Sequence, residues 1–157
     1  MAMYHMSIKI ASRATGRSAV AAAAYRSCSK IENERDGLVH DYTRKHGLVA
    51  EGVVLPDCAP ERFADRSTLW NEVEAIERSG NAQLAREFEV ALPHDLSAWQ
   101  RVELTLALCH GLASEGMVCD WAIHDADGDN HNVHAHILCP MRSCDENGFL
   151  AKAVTAY

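Results

Sequence analysis

Apolar and polar residues alternate over several short stretches of the chain. From Tyr4 to Ala11, the residues Tyr4, Met6, Ile8 and Ile10 oppose His5, Ser7, Lys9 and Ala11. This two-residue period predicts a half-buried strand with one polar face. Ser12 to Gly16 reads as a turn, and Ser18 as the cap of an alanine-rich helix from Ala19 to about Lys30. Leu38–Tyr42 and Leu48–Leu55 read as two shorter strands around a basic turn. Pro60 to Ala64 suggests one helical turn. Ser67 is placed to cap a helix from Thr68 to Arg78, with Leu69, Val73 and Ile76 on one stripe.

The second half is more regular. Leu84 to Leu92 alternates, with Arg86, Phe88, Val90 and Leu92 opposite Ala85, Glu87, Glu89 and Ala91, and Pro93 ends the run. Ser97 opens a long helix to about Ser114, which Gly116 closes. Met117–Ile123 and Val133–Cys139 read as strands, joined by a loop whose Asp-Gly-Asp-Asn run is turn chemistry. The order is β-α-β-β-α-α-β-α-β-β. It predicts an α+β domain with a central, mostly antiparallel five-stranded sheet and helices packed mainly on one face. The simplest packing puts the helices on the apolar face and leaves a polar floor opposite.

A chain of 157 residues is one domain by size and can bury a real core. It has no apolar run long enough for a membrane span and no secretory signal pattern. Its six cysteines form no C-x-x-C pair, so they read as reduced, mostly buried thiols of a cytoplasmic protein. The net charge of −7 argues against a nucleic-acid partner, but its distribution does not. Residues 1–50 carry eight Lys and Arg against four Asp and Glu; residues 51–157 carry seven against eighteen. Lys9, Arg13, Arg17, Arg26 and Lys30 are candidate DNA contacts in the basic third.

The most chemically loaded segment runs from His124 to Leu138 and holds four of the nine histidines. His134 and His136 share one strand face, and His124 lies on the polar face of the preceding strand. Three imidazoles can hold a divalent ion and leave positions open for a substrate oxygen. His131 competes as a ligand, although it falls in the loop and out of register with His134 and His136. The Asp125, Asp127 and Asp129 run lacks the glycine and terminal Glu positions of a calcium loop. A reaction at a metal-bound phosphate needs a nucleophile. Tyr25 is the candidate, because small neighbours (Ala21 to Ala24) let another chain approach it and Arg26 and Lys30 follow at helical spacing.

These residues resemble a known family. The start Met1-Ala2-Met3-Tyr4-His5-Met6-Ser7-Ile8-Lys9, the Ser18–Tyr25 block, Ala85–Pro93, and the tail from Ala122 through Ile137 are similar, in order, to MobA/MobL-type conjugative relaxases. Those enzymes belong to the HUH (His-hydrophobe-His) endonuclease class. The resemblance implies site- and strand-specific nicking of single-stranded DNA at a plasmid origin of transfer. Tyr25 would be the nucleophile, giving a 5′-phosphotyrosyl adduct and a free 3′-OH, reversible by rejoining. His124, His134 and His136 would hold the metal, Mg²⁺ or Mn²⁺ foremost, with other divalent ions also acceptable. Glu87 would be the acidic residue that orients a ligand or polarises the nucleophile, with Glu89 as the alternative.

The resemblance also implies accessory mobilisation proteins and a secretion coupling protein as partners of the full-length protein. Many relatives read Asn-Pro-His-x-His where this chain reads Asn132-Val133-His134-Ala135-His136, and relatives continue further, so residues 1–157 are expected to be a relaxase domain truncated at its C-terminus. Other readings are an HUH-class rolling-circle replication initiator and a non-catalytic, metal-containing DNA-binding assembly protein. A histidine-triad hydrolase would need a third alternating histidine, and position 138 is Leu.

Overall fold

The computed structural model describes residues 5–152. Five antiparallel strands make the central sheet: β1 (Met6–Ser12), β4 (Leu48–Val54), β5 (Gln83–Leu92), β6 (Cys119–Asp125) and β7 (Val133–Pro140), in the order β1-β5-β7-β6-β4. Three α-helices pack on it: α1 (Ala19–Ser27), α2 (Arg66–Ile76) and α3 (Ala98–Ser114). Short strands β2 (Lys30–Glu32) and β3 (Val39–Asp41) form one satellite hairpin, and β8 (Cys144–Asp145) and β9 (Gly148–Phe149) another. The α+β architecture with five antiparallel strands is the one expected.

Alternation sets the two faces. Trp121, Ile123, Ala135 and Ile137 point to the side covered by α3, through Cys109 and Ala113. Ser97 caps α3 in a reciprocal capping box with Gln100, at 2.8 and 3.1 Å. Two of the three helices do share a face, but it is the opposite, histidine-bearing one. There Val20, Ala23, Leu69 and Trp70 of α1 and α2 close over Leu84 and Leu138. The open polar floor is therefore corrected. What allows helices on that side is neutralisation. Asp120 of β6 is buried, and it accepts hydrogen bonds from Arg66 Nε and Trp70 Nε1, both at 2.8 Å.

Several boundaries shift for local reasons. Helix α1 stops at Ser27 because Cys28 turns left-handed (φ 52°), which frees Lys30–Glu32 to pair with β3. Hence the segment around His40 pairs with β2, not with Leu48–Val54, and β4 instead borders β6 at the sheet edge. Helix α2 begins earlier than expected, since Asp65, not Ser67, accepts from the Thr68 N–H at 3.0 Å. The apolar face of edge strand β1 is exposed at Met6, Ile8 and Ile10; Tyr4 lies outside the described residues. The six cysteines are free thiols, four of them buried.

Candidate active site

The site forms where the C-terminal end of α1 meets β6, β7 and β5. Ser18 starts α1 by accepting from the Ala21 N–H at 2.9 Å, and its alanines let the helix lie close to its neighbours. Tyr25 sits in the last turn, 41% exposed, where the final carbonyls have no partner inside the helix. Two groups outside α1 take them. His124 Nε2 donates to the Arg26 carbonyl at 2.6 Å, and Lys45 Nζ donates to the Tyr25 carbonyl at 3.2 Å. The turn that carries the tyrosine is thus fastened both to the central sheet and to the loop after β3.

The three histidines picked out in the sequence lie on one sheet face. His124 and His134 are direct cross-strand partners, and His136 lies one step further along β7. The rings of His124 and His136 stand 5.5 Å apart at 75°. His136 Nδ1 donates to Glu87 Oε1 at 3.1 Å, and His134 Nδ1 donates to the Asn132 carbonyl at 3.3 Å. An acceptor at Nδ1 leaves the Nε2 lone pair free, which is the arrangement metal-bound histidines use.

His124 is set differently. A carbonyl only accepts, so its Nε2 carries the proton. Burial pushes this imidazole down to about 4, against the pull of the Arg26 carbonyl, and it is neutral at pH 7. Among the described residues no three His, Cys, Asp or Glu side chains form a ready metal-binding group. The donor set nonetheless suits a divalent ion. Two Nε2 atoms are free as they stand, and His124 would join through Nδ1 or by releasing Arg26.

Glu87 is buried and connects these parts. Its Oε1 also meets Arg26 Nη2 at 2.6 Å. Burial alone would raise its carboxyl, but His136 and the Arg26 guanidinium outweigh that and hold it below the usual carboxylate range. Glu89, the alternative, is the direct cross-strand neighbour of His136, yet His136 donates its hydrogen bond to Glu87 on the diagonal.

The other candidates divide. Lys9 is exposed and pairs in register with Glu87 from β1, on the histidine side. Arg17 is exposed and lines a cleft of about 580 Å³ that Tyr25, Arg26 and Glu87 also line. Lys30 is exposed on β2. Arg13 lines the cleft too, but its guanidinium is committed to Glu74 at 2.7 Å and to the carbonyls of Glu77 and Ser79. It clamps the end of α2 and is removed from the free cations. Arg26 is likewise engaged by Glu87. His131 sits beside His94, ring centroids 5.8 Å apart, and not with the three strand histidines. In the sequence Lys45 is only one charge of a basic turn, and no spacing rule ties it to Tyr25.

Fold and site together define an α+β domain of the paired-histidine type, with a tyrosine presented at the end of its first helix. The chain belongs to the MobA/MobL family, whose model matches residues 17–156. It is 42% identical over 165 residues to the conjugal transfer protein TraA of Rhizobium radiobacter, covering 98% of this chain and 15% of that protein. It is 40% identical over 176 residues to the mobilization protein MobL of Acidithiobacillus ferridurans, covering 97% and 46%. The chain thus spans less than half the length of either relative. A solved structure described as the molecular basis of vancomycin resistance transfer in Staphylococcus aureus superposes with a TM-score of 0.91. It shares 36% identity and covers 98% of this chain and 78% of that one.

Proposed function

We propose that this chain is the nicking domain of a conjugative relaxase, acting on single-stranded DNA at an origin of transfer. The observation that carries the reading is the fastening of the tyrosine-bearing turn to His124, on the face that also holds His134, His136 and Glu87. Membership of the MobA/MobL family and the relatives named for conjugal transfer and mobilization support it.

Tyr25 Oη attacks the scissile phosphorus. The Oη–P bond forms, the P–O3′ bond breaks, the phenol loses its proton to solvent and the departing 3′ oxygen takes one up. The products are a 5′-phosphotyrosyl adduct and a free 3′-OH, and rejoining is the reverse. His124, His134 and His136 would hold a divalent ion, Mg²⁺ or Mn²⁺ foremost. When bound, such an ion supplies Lewis-acid stabilisation of charge on the phosphate oxygens. Glu87 fixes the orientation of His136, and the exposed Lys9, Arg17 and Lys30 offer contacts for DNA phosphates. Accessory mobilisation proteins and a secretion coupling protein are the partners in this reading.

The test is adduct formation. The chain, with Mn²⁺ or Mg²⁺, is incubated with labelled single strands tiled across the DNA beside its gene and then resolved under denaturing conditions. A covalent adduct is expected from the wild type and none from Tyr25→Phe. An adduct that survives Tyr25→Phe removes Tyr25 as nucleophile. Activity unaffected by chelator removes the metal. Binding without any adduct favours a non-catalytic assembly protein.

A further inference from the structure

Lys45 lies in the loop between β3 and β4, outside every motif read from the sequence. Its Nζ stands 3.6 Å from the centroid of the Tyr25 ring while donating to the Tyr25 carbonyl at 3.2 Å. The Lys45 N–H in turn donates to the Tyr42 carbonyl at 3.0 Å, and Tyr42 meets the Tyr25 ring edge-on, centroids 5.1 Å apart at 87°. The ring is therefore held by a cation on its face and by a second aromatic ring set at right angles to it.

The charges around that ring are unequal. The Arg26 guanidinium lies 5.2 Å from the ring centroid but is paired with Glu87. Among the described residues no carboxylate lies within ion-pair distance of Lys45. Its charge is shared by the ring, the Tyr25 carbonyl to which it donates, and the nearby His124 imidazole, whose protonation it opposes. A cation over an aromatic face is attracted by the ring's electron density. That attraction grows as negative charge builds on the phenol oxygen and spreads into the ring. In the nicking reading, charge builds on Oη twice: as the attacking group, and again as the leaving group when the strand is rejoined.

We propose that Lys45 is a positioning residue for Tyr25, holding its ring in the attacking orientation and favouring negative charge on Oη in both nicking and rejoining. This rests on the nicking function proposed above. A group that stabilises only the transition state shared by nicking and rejoining speeds both by the same factor.

The test uses Lys45→Met, which keeps the stem and removes the charge, and Lys45→Arg, which restores it. On a single strand that the wild type nicks, Lys45→Met is expected to slow single-turnover cleavage at saturating DNA about tenfold. Rejoining of the isolated adduct should slow by the same factor, with the dissociation constant for DNA held within about twofold. Lys45→Arg should recover most of both rates. Weaker DNA binding with unchanged saturating rates would instead make Lys45 a phosphate contact and overturn the proposal. So would equal losses in both variants accompanied by a lowered Tm.

A second measurement needs no DNA. In protein labelled at its tyrosine rings, the Tyr25 NMR signal is assigned by its disappearance in Tyr25→Phe. It should move in Lys45→Met and stay in place in Arg44→Met. An unmoved signal in Lys45→Met overturns the proposal whatever the enzyme does. An absent wild-type adduct with a moved signal overturns the nicking function while leaving the contact standing.

Discussion

His124 Nε2 donates to the backbone carbonyl of Arg26 at 2.6 Å, so a sheet histidine closes the last turn of the helix that carries Tyr25. A candidate metal ligand thus also caps a helix, and its removal should be felt with no metal in solution. His124→Ala is expected to lower stability by about 1 kcal/mol in excess EDTA, the usual worth of such a bond. Urea unfolding of both proteins in EDTA measures this. Equal midpoints would mean that the bond does not hold the helix end.

Glu87 should matter to metal affinity without being a ligand. Its carboxylate fixes His136 with Nε2 free and shares that oxygen with Arg26. Glu87→Gln keeps the shape and removes the charge. It is expected to weaken Mn²⁺ binding by about 10–100-fold, as loss of such outer partners does. Titration calorimetry reads this without DNA. Unchanged affinity would show that His136 is oriented by its strand alone.

Much of this site was legible in the sequence, and the reasons differ by residue. His134 and His136 share a face because strand side chains alternate, and that follows from local spacing. Ser18 and Ser97 announced their helices for an equally local reason. What the sequence could not disclose was which surfaces meet. Asp120 alternates onto the same strand face as His124, and only packing shows it neutralised beneath α2 by Arg66 and Trp70. Arg13 looked like a DNA contact, and its clamp on Glu74 depends on a residue 61 positions away. Lys45 reaches Tyr25 only because the β2–β3 hairpin folds its loop back over the end of α1.

The Asp120 cluster should be a stability centre. Its carboxyl is deeply buried, and burial raises it against the pull of Arg66 and Trp70. Removing one partner of a buried pair strands the other. Asp120→Ala is therefore expected to cost about 3 kcal/mol, the lower part of the range for broken buried pairs, since Arg66 retains Glu51. Denaturant unfolding at pH 7 checks it, and a cost under about 1 kcal/mol would place the pair among weak surface bridges.

Gly47 links the Lys45 loop to the His124 strand and cannot easily be replaced. Its φ is +98°, its carbonyl accepts from the Asp125 N–H at 2.8 Å, and an added Cβ would lie 3.1 Å from Ala126 Cα. Gly47→Ala is expected to destabilise by about 1–3 kcal/mol, through a disfavoured backbone region and a backbone clash. Thermal unfolding measures the loss. A Tm equal to wild type would show that the loop can relax away from the strand.

Acid sensitivity should pass in part through Glu77, outside the active site. This buried carboxylate pairs with Arg142 at 2.9 Å and Lys152 at 3.3 Å. Burial alone would raise it, but the two cations outweigh burial and hold it below its usual range. A carboxyl whose folded value is depressed stabilises the fold above its unfolded value, near 4.3. It loses that contribution as the pH falls through the folded value. Wild type should therefore exceed Glu77→Gln in stability at pH 7, and the gap should narrow steadily below about pH 4.5. Urea midpoints of both proteins at pH 7, 5, 4 and 3 trace it. A gap independent of pH would mean that the side chain acts through its shape and hydrogen bonds, not its charge.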